Sequence, residues 1–119
     1  MVHVSRRGMG ELEAVVMESL WASADGLTPR DVHDRVAGEL GYTTVMTVVT
    51  RLWEKGLLDR SPEGRSFRYR PTSTAAEHHS ERMRDVLSKA ADRPAVLASF
   101  VSQLNARDRS VLLELLDED

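Results

Sequence analysis

The stretch 42-YTTVMTVVTRLWEKG-56 decides the fold. Its first nine residues are mostly Thr and Val, which single-residue preference would place in a β-strand. The apolar positions, however, fall at Val45, Val48, Val49 and Leu52, the i, i+3, i+4, i+7 spacing of one helix face. Periodicity therefore predicts a helix from Thr43 to Lys55, with Gly56 in the C′ place that favours glycine. The puzzle is the other side of this helix, which carries Thr43, Thr44, Thr47 and Thr50 where Lys or Glu would form helix better and solvate better.

Upstream, a first helix is expected from Met9 to Ser23, with Leu12, Val15, Val16, Leu20 and Trp21 inward, broken by 24-ADG-26. The run 28-TPRD-31 starts a second, short helix. Thr28 is its N-cap, Pro29 sits at N1 where a missing N–H costs nothing, and Asp31 meets the positive end of the dipole. Val32, Val36 and Leu40 are its candidates for burial, and Gly38 and Gly41 bracket its end. Downstream, 57-LLDRS-61 and 66-SFRYR-70 read as two strands. The segment 61-SPEG-64 between them has the residues of a type I turn. Phe67 and Tyr69 fall on an apolar inner face, Ser66, Arg68 and Arg70 on a basic outer one, and Pro71 ends the hairpin.

Helix, short helix, turn, helix and hairpin make a winged helix-turn-helix over residues 1–71, in a chain that is mainly α with a small β-hairpin. This order accounts for the threonines. With Val45 at the centre of the buried face and about 100° per residue, Thr43, Thr47 and Thr50 point outward, Thr44 and Arg51 lie on one flank and Met46 on the other. A recognition helix must approach the floor of a groove only about 12 Å wide. Threonine is short, its hydroxyl can bond phosphate or a base edge, and its methyl can pack on a thymine methyl. Thr50, Arg51, Lys55, Arg65, Arg68 and Arg70 are the candidates for phosphate contact. The alternatives are that the threonines are inert surface residues, that the hairpin arginines form a solvated face, and that Arg51 and Lys55 pair with Glu54, Asp59 or Glu63.

Residues 72–119 read as three more helices. Thr74 and Glu77 form a capping box for the first, and Asn105 with Asp108 at N3 starts the last. Their apolar stripes include Met83, Val86 and Leu87, then Phe100 and Leu104, then Val111, Leu112, Leu115 and Leu116. Fewer than about fifty residues are too few for a secure core of their own. Burial against a second copy solves this, so these positions are the expected dimerisation surface of a helical dimerisation region. Charge follows the same division. The formal net charge is −3, yet Gly41–Arg70 carries six basic and three acidic residues (+3), and Pro71–Asp119 carries six basic and nine acidic (−3). The basic segment suits a polyanion and the acidic one should stay away from it.

Much else is excluded. There are no cysteines, hence no disulfide, thiolate site or Cys nucleophile. His78 and His79 are adjacent rather than four apart, which is poor spacing for metal ligands on a helix, so no metal or other cofactor is expected. No catalytic constellation, phosphate-binding Gly loop or membrane span is evident, and the start MVHVSRRGMG lacks the apolar region of a secretory signal, so a cytoplasmic protein is expected. Trp21 and Trp53 read as core residues and His33 as a surface or half-buried one.

The run YTTVMTVVTRLWEKG, followed by LLDRS and GRSFRYRP and preceded by ELEAVVMESLW and TPRDVHDRV, resembles the BlaI/MecI family of penicillinase repressors. The resemblance implies a homodimeric repressor on double-stranded operator DNA with inverted repeats of TACA/TGTA type, controlling β-lactam resistance or related genes. It maps base contacts onto Thr43, Thr44, Met46 and Thr47; staphylococcal members hold basic residues at the places of Thr43 and Met46. It also implies inactivation by a regulatory protease, and aligns the cleaved Asn–Phe bond with Ser99–Phe100, where the Asn is missing. Two other readings stand beside it: a winged-helix module that binds protein, and a regulator that senses a small molecule or a metal.

Overall fold

The computed structural model describes residues 8–36 and 40–118. Six helices and one hairpin follow in the order α1 (Met9–Trp21), α2 (Pro29–Val36), α3 (Tyr42–Glu54), β1 (Leu58–Glu63), β2 (Ser66–Pro71), α4 (Ala75–Ser88), α5 (Arg93–Gln103) and α6 (Ala106–Leu116). The chain is mainly α with a small β-hairpin. It divides into two compact units, Met1–His78 and His79–Asp119.

In the first unit α1, α2 and α3 enclose a core that the hairpin closes. Leu12, Val16, Met17 and Leu20 enter from α1, Val32 from α2, and Val45, Val48, Val49 and Leu52 from α3; Leu40, Leu58 and Tyr69 complete it. Val15 and Trp21, both expected inside, are half-buried, and Met17 takes a core place not anticipated. The ring N–H of Trp21 donates to the Ser73 carbonyl at 3.0 Å, so this tryptophan fastens the start of α4 to α1. Gly38, expected near the end of α2, lies outside the described residues.

Local chemistry sets the helix ends. Thr28 and Asp31 form a reciprocal box: the Asp31 N–H donates to Thr28 Oγ1 at 3.2 Å and the Thr28 N–H to Asp31 Oδ2 at 3.1 Å. The backbone bond from Thr28 holds the Asp31 carboxyl below its usual range. At the far end of α3, Gly56 has φ +82°. Its N–H reaches the Trp53 carbonyl at 3.0 Å and the Leu57 N–H reaches Leu52 at 2.9 Å, the double bond of a Schellman ending.

The hairpin departs from its sequence reading. β1 does not stop at Ser61; it pairs on through Pro62↔Phe67 and Glu63↔Ser66, so the connection is Gly64-Arg65 and not 61-SPEG-64. Gly64 has φ +61°, which suits a two-residue hairpin connection. Pro62 is tolerated because β1 is an edge strand. β2 gains a further partner: Leu27 and Tyr69 exchange backbone bonds of 3.0 and 2.8 Å, making a one-residue third strand. That bridge depends on Gly26, buried with φ +84°.

The last three helices have well-made ends. Thr74 and Glu77 form the expected capping box, with bonds of 2.8 and 3.0 Å, and the bond from the Thr74 N–H lowers the Glu77 pKa. Asp92 caps α5 by accepting from the Ala95 N–H at 3.1 Å, and Asn105 caps α6 by accepting from the Asp108 N–H at 2.8 Å. Yet no residue of α4, α5 or α6 is buried.

Gly26 and Gly64 supply a contrast. A Cβ on Gly26 would lie 2.7 Å from both the Tyr69 carbonyl oxygen and Arg70 Cγ, whereas at Gly64 nothing lies within 4 Å. Gly64→Ala should cost only the left-handed backbone penalty, about 1–2 kcal/mol. Gly26→Ala should cost clearly more, because the bridge must open as well. Chemical denaturation of the two variants measures the difference, and equal losses would refute the account of the bridge.

Candidate nucleic-acid interface

Burial of Val45, Val48, Val49 and Leu52 at 0–1% exposure fixes the rotation of α3. The threonine side consequently faces solvent: Thr43 and Thr47 are exposed, and Thr44, Met46 and Thr50 are half-buried. The Thr47 hydroxyl donates to the Thr43 carbonyl at 3.1 Å. Its proton is thereby committed, leaving the oxygen lone pairs and the methyl group for a partner. Gly41, the N-cap, is extended and provides no side-chain bond to the first turn. His33 of α2 meets Tyr42 edge-on at 6.1 Å between ring centroids, which links α2 to the start of α3.

The basic residues divide into two groups. Arg51, Arg65 and Arg70 are exposed, with Arg65 in the hairpin connection and Arg70 reaching Ser61 Oγ at 3.3 Å. Lys55 and Arg68 have work inside the protein instead. Lys55 pairs with Glu13 of α1 at 2.7 Å, not with Glu54, Asp59 or Glu63. Arg68 binds Glu63 through both Nε and Nη2 at 2.7 Å, and its Nη1 donates to the Gly26 carbonyl at 2.9 Å. This fork raises the Arg68 pKa and lowers that of Glu63. Both side chains thus anchor the fold: Lys55 ties α1 to α3, and Arg68 ties the hairpin to the α1–α2 connection.

Sequence reasoning missed Arg60. It faces Tyr69 across the hairpin, and so lies on the inner face. Its guanidinium carbon sits 3.6 Å from the Trp53 ring centroid and 4.0 Å from that of Phe67. Trp53 is thus not a core residue; it is 36% exposed and carries Arg60. The only available signal was an arginine in the strand's apolar register, which a two-fold periodicity puts beside Leu58.

In the second unit Met83, Val86, Phe100, Val111, Leu115 and Leu116 are exposed, Val86 and Leu116 each to 69%, and Leu87, Leu104 and Leu112 are half-buried. Val96, Leu97, Val101 and Leu113 add to this apolar surface. The Ser99–Phe100 bond lies inside α5, so a protease could reach it in extended form only after that helix opens locally. His78 rests against Trp21 at 5.3 Å, and among the described residues no three His, Cys, Asp or Glu side chains form a group able to hold a metal. No helix among the described residues is long and apolar enough to cross a membrane.

Residues 9–118 match the penicillinase repressor family. The chain belongs to that family. The protein named transcriptional regulator BlaI in two strains of Mycobacterium tuberculosis, CDC 1551 / Oshkosh and ATCC 25618 / H37Rv, is 36% identical over 115 residues, spanning 92% of this chain and 83% of that one. Among solved structures, the PcaV transcriptional regulator of Streptomyces coelicolor with its natural ligand aligns at TM-score 0.48 and 29% identity, covering 88% of this chain and 70% of that one. A MarR family protein from Bacillus stearothermophilus aligns at 0.46 and 21%, covering 88% and 68%. Family membership and the identity to a transcriptional regulator make this chain a transcriptional repressor, and α3 with the hairpin is its candidate DNA-reading surface.

Thr47→Lys tests the outward face of α3. The exposed site should tolerate it, with stability within about 0.5 kcal/mol of the parent. Binding to an operator duplex should fall at least about tenfold, since a long side chain holds the helix off the groove floor. Fluorescence anisotropy beside thermal melting checks both, and unchanged affinity would mean that a different face reads DNA.

Proposed function

We propose that this transcriptional repressor binds a pseudo-palindromic operator as a homodimer, each protomer laying α3 in the major groove. The observation that carries the reading is the rotation of α3, whose valines are wholly buried while Thr43 and Thr47 stand in solvent. Thr43, Thr44, Met46 and Thr47 read base edges. Thr50, Arg51, Arg65 and Arg70 contact phosphate around them. The family resemblance suggests a TACA/TGTA inverted repeat and genes of β-lactam resistance or a related response. A regulatory protease acting at Ser99–Phe100 is the corresponding route of release.

The energetics of α4–α6 support the dimer. Burying one exposed Leu or Val is worth about 1.5–3 kcal/mol, and α4–α6 leave Val86, Leu115 and Leu116 all more than half exposed. A second copy presents the same surface and closes it with two-fold symmetry. That symmetry would match the inverted repeat.

Footprinting of genomic fragments bound by the purified protein, beginning with its own upstream region, should reveal a protected inverted repeat. Binding should weaken steeply with salt, as counterions are released from the neutralised phosphates. Absence of binding to any inverted repeat, or a flat salt dependence, would favour a protein-interaction module instead.

Leu116→Asp places a charge on the most exposed part of the apolar surface. It should shift the sedimentation profile from dimer to monomer and weaken operator binding with it. A profile that remains dimeric would remove α6 from the interface.

A further inference from the structure

We infer that Arg60, held between Trp53 and Phe67, is a preformed phosphate contact of the wing. This rests on the reading of α3 as the groove-bound helix and adds to it a residue outside the exposed arginine set. The guanidinium carbon lies 3.6 Å from one ring centroid and 4.0 Å from the other. Aromatic contact uses the flat faces of the cation. Its N–H donors lie in the plane and point outward from the edge. Among the described residues their one hydrogen bond, from Nη1 to the Tyr69 hydroxyl, is 3.5 Å long, at the limit for such a bond.

Arg60 differs from both groups of basic residues described above. Arg68 spends its fork on Glu63 and the Gly26 carbonyl. Among the described residues no carboxylate forms a salt bridge with Arg60. Arg51 and Arg65 are exposed, and must lose side-chain freedom when they bind. Arg60 is half-buried, and its two rings have already restricted it. A planar, weakly hydrated cation without a carboxylate partner among the described residues suits a phosphate, which accepts two parallel N–H bonds.

Position agrees with chemistry. Met46, Thr50 and Trp53 recur at i, i+4 and i+7 along α3, a stripe beside the outward threonines. Arg60 stacks on the last member of that stripe. With the threonines on the groove floor, this flank faces the wall of the groove, where the sugar–phosphate strand runs. The wing and the reading helix thus share one cation, and Trp53 fixes where it stands.

The test compares Arg60→Gln and Arg60→Lys with the parent protein, on an operator duplex and on a random-sequence duplex over a range of salt. Gln keeps a flat polar head between the rings but has no charge; Lys keeps the charge but not the fork. Each phosphate contact contributes about 0.9 to the slope of log affinity against log salt, so Arg60→Gln should flatten the slope by about two for a bound dimer. Affinity should drop about tenfold or more on both duplexes, because phosphate contacts carry no sequence information. Arg60→Lys should restore the slope and only part of the affinity. A slope unchanged in Arg60→Gln would overturn the assignment and leave Arg60 as a strut between hairpin and helix. If melting shows Arg60→Gln unfolded, single methylphosphonate substitutions of the operator take its place. One phosphate per half-site should then matter less to Arg60→Lys than to the parent, and identical profiles would overturn the assignment. A parent protein with no salt-dependent DNA binding would instead bring down the reading of α3 itself.

Discussion

The buried valine stripe of α3 is the constraint on which everything else turns. Seven of the thirteen residues of α3 are Thr or Val, residues costing up to about 0.7 kcal/mol each against alanine in a helix. Burial of Val45, Val48, Val49 and Leu52 returns about 1.5–3 kcal/mol apiece. The tertiary term exceeds the propensity deficit, so the segment is helical despite its composition, and its rotation is set by the same four side chains. Rolling α3 by one residue would pull valines into water. The threonine face is therefore held outward by the core, and no surface interaction has to hold it there.

Position of the hairpin follows from a second constraint. Tyr69 is paired on one side with Arg60 of β1 and on the other with Leu27. This makes β2 a central strand for one residue, and it joins the hairpin to the loop before α2. Gly26 permits the close approach, and its carbonyl accepts from both Arg68 Nη1 and Ser23 Oγ, at 2.9 and 3.0 Å. The Arg68–Glu63 fork then stiffens the hairpin from outside. Arginines two residues apart on one strand face thus do different things: Arg68 is consumed by the fold, while Arg70 keeps most of its donors in solvent.

What could be read from the sequence was whatever depends on near neighbours. The face of α3, the capping residues Thr28, Thr74 and Asn105, and the glycine ending at Gly56 are all set within a few residues, and each stands where the pattern put it. The hairpin turn failed because Ser-Pro-Glu-Gly satisfies a turn preference that pairing overrides: two more ladder pairs form if the strands continue to Glu63 and Ser66. The jobs of Lys55, Arg68 and Arg60 were not legible, since their partners Glu13, Gly26 and Trp53 are 42, 42 and 7 positions away and no local pattern names them. A basic residue in a sequence announces a charge; only the fold decides whether that charge is already spent.

Helices α4–α6 show the converse case, with complete local signals and a missing global one. Asp92 and Asn105 cap α5 and α6, Thr74 and Glu77 box the start of α4, and still every apolar side chain of the three helices keeps contact with water. Capping contributes about 1 kcal/mol per helix, which cannot hold short helices that would be marginal alone. Covering the exposed Met83, Val86, Phe100 and Leu115 and their neighbours would supply the missing stabilising term. The acidic balance of this half disfavours nucleic acid as the cover. In the proposed dimer an identical surface on a second copy would supply apolar area, and a two-fold axis would pair the recognition helices as an inverted repeat requires. In that arrangement stability of the second unit and operator affinity are one linked equilibrium, so an event that weakens the helices of α4–α6 lowers DNA occupancy without touching a single residue of α3.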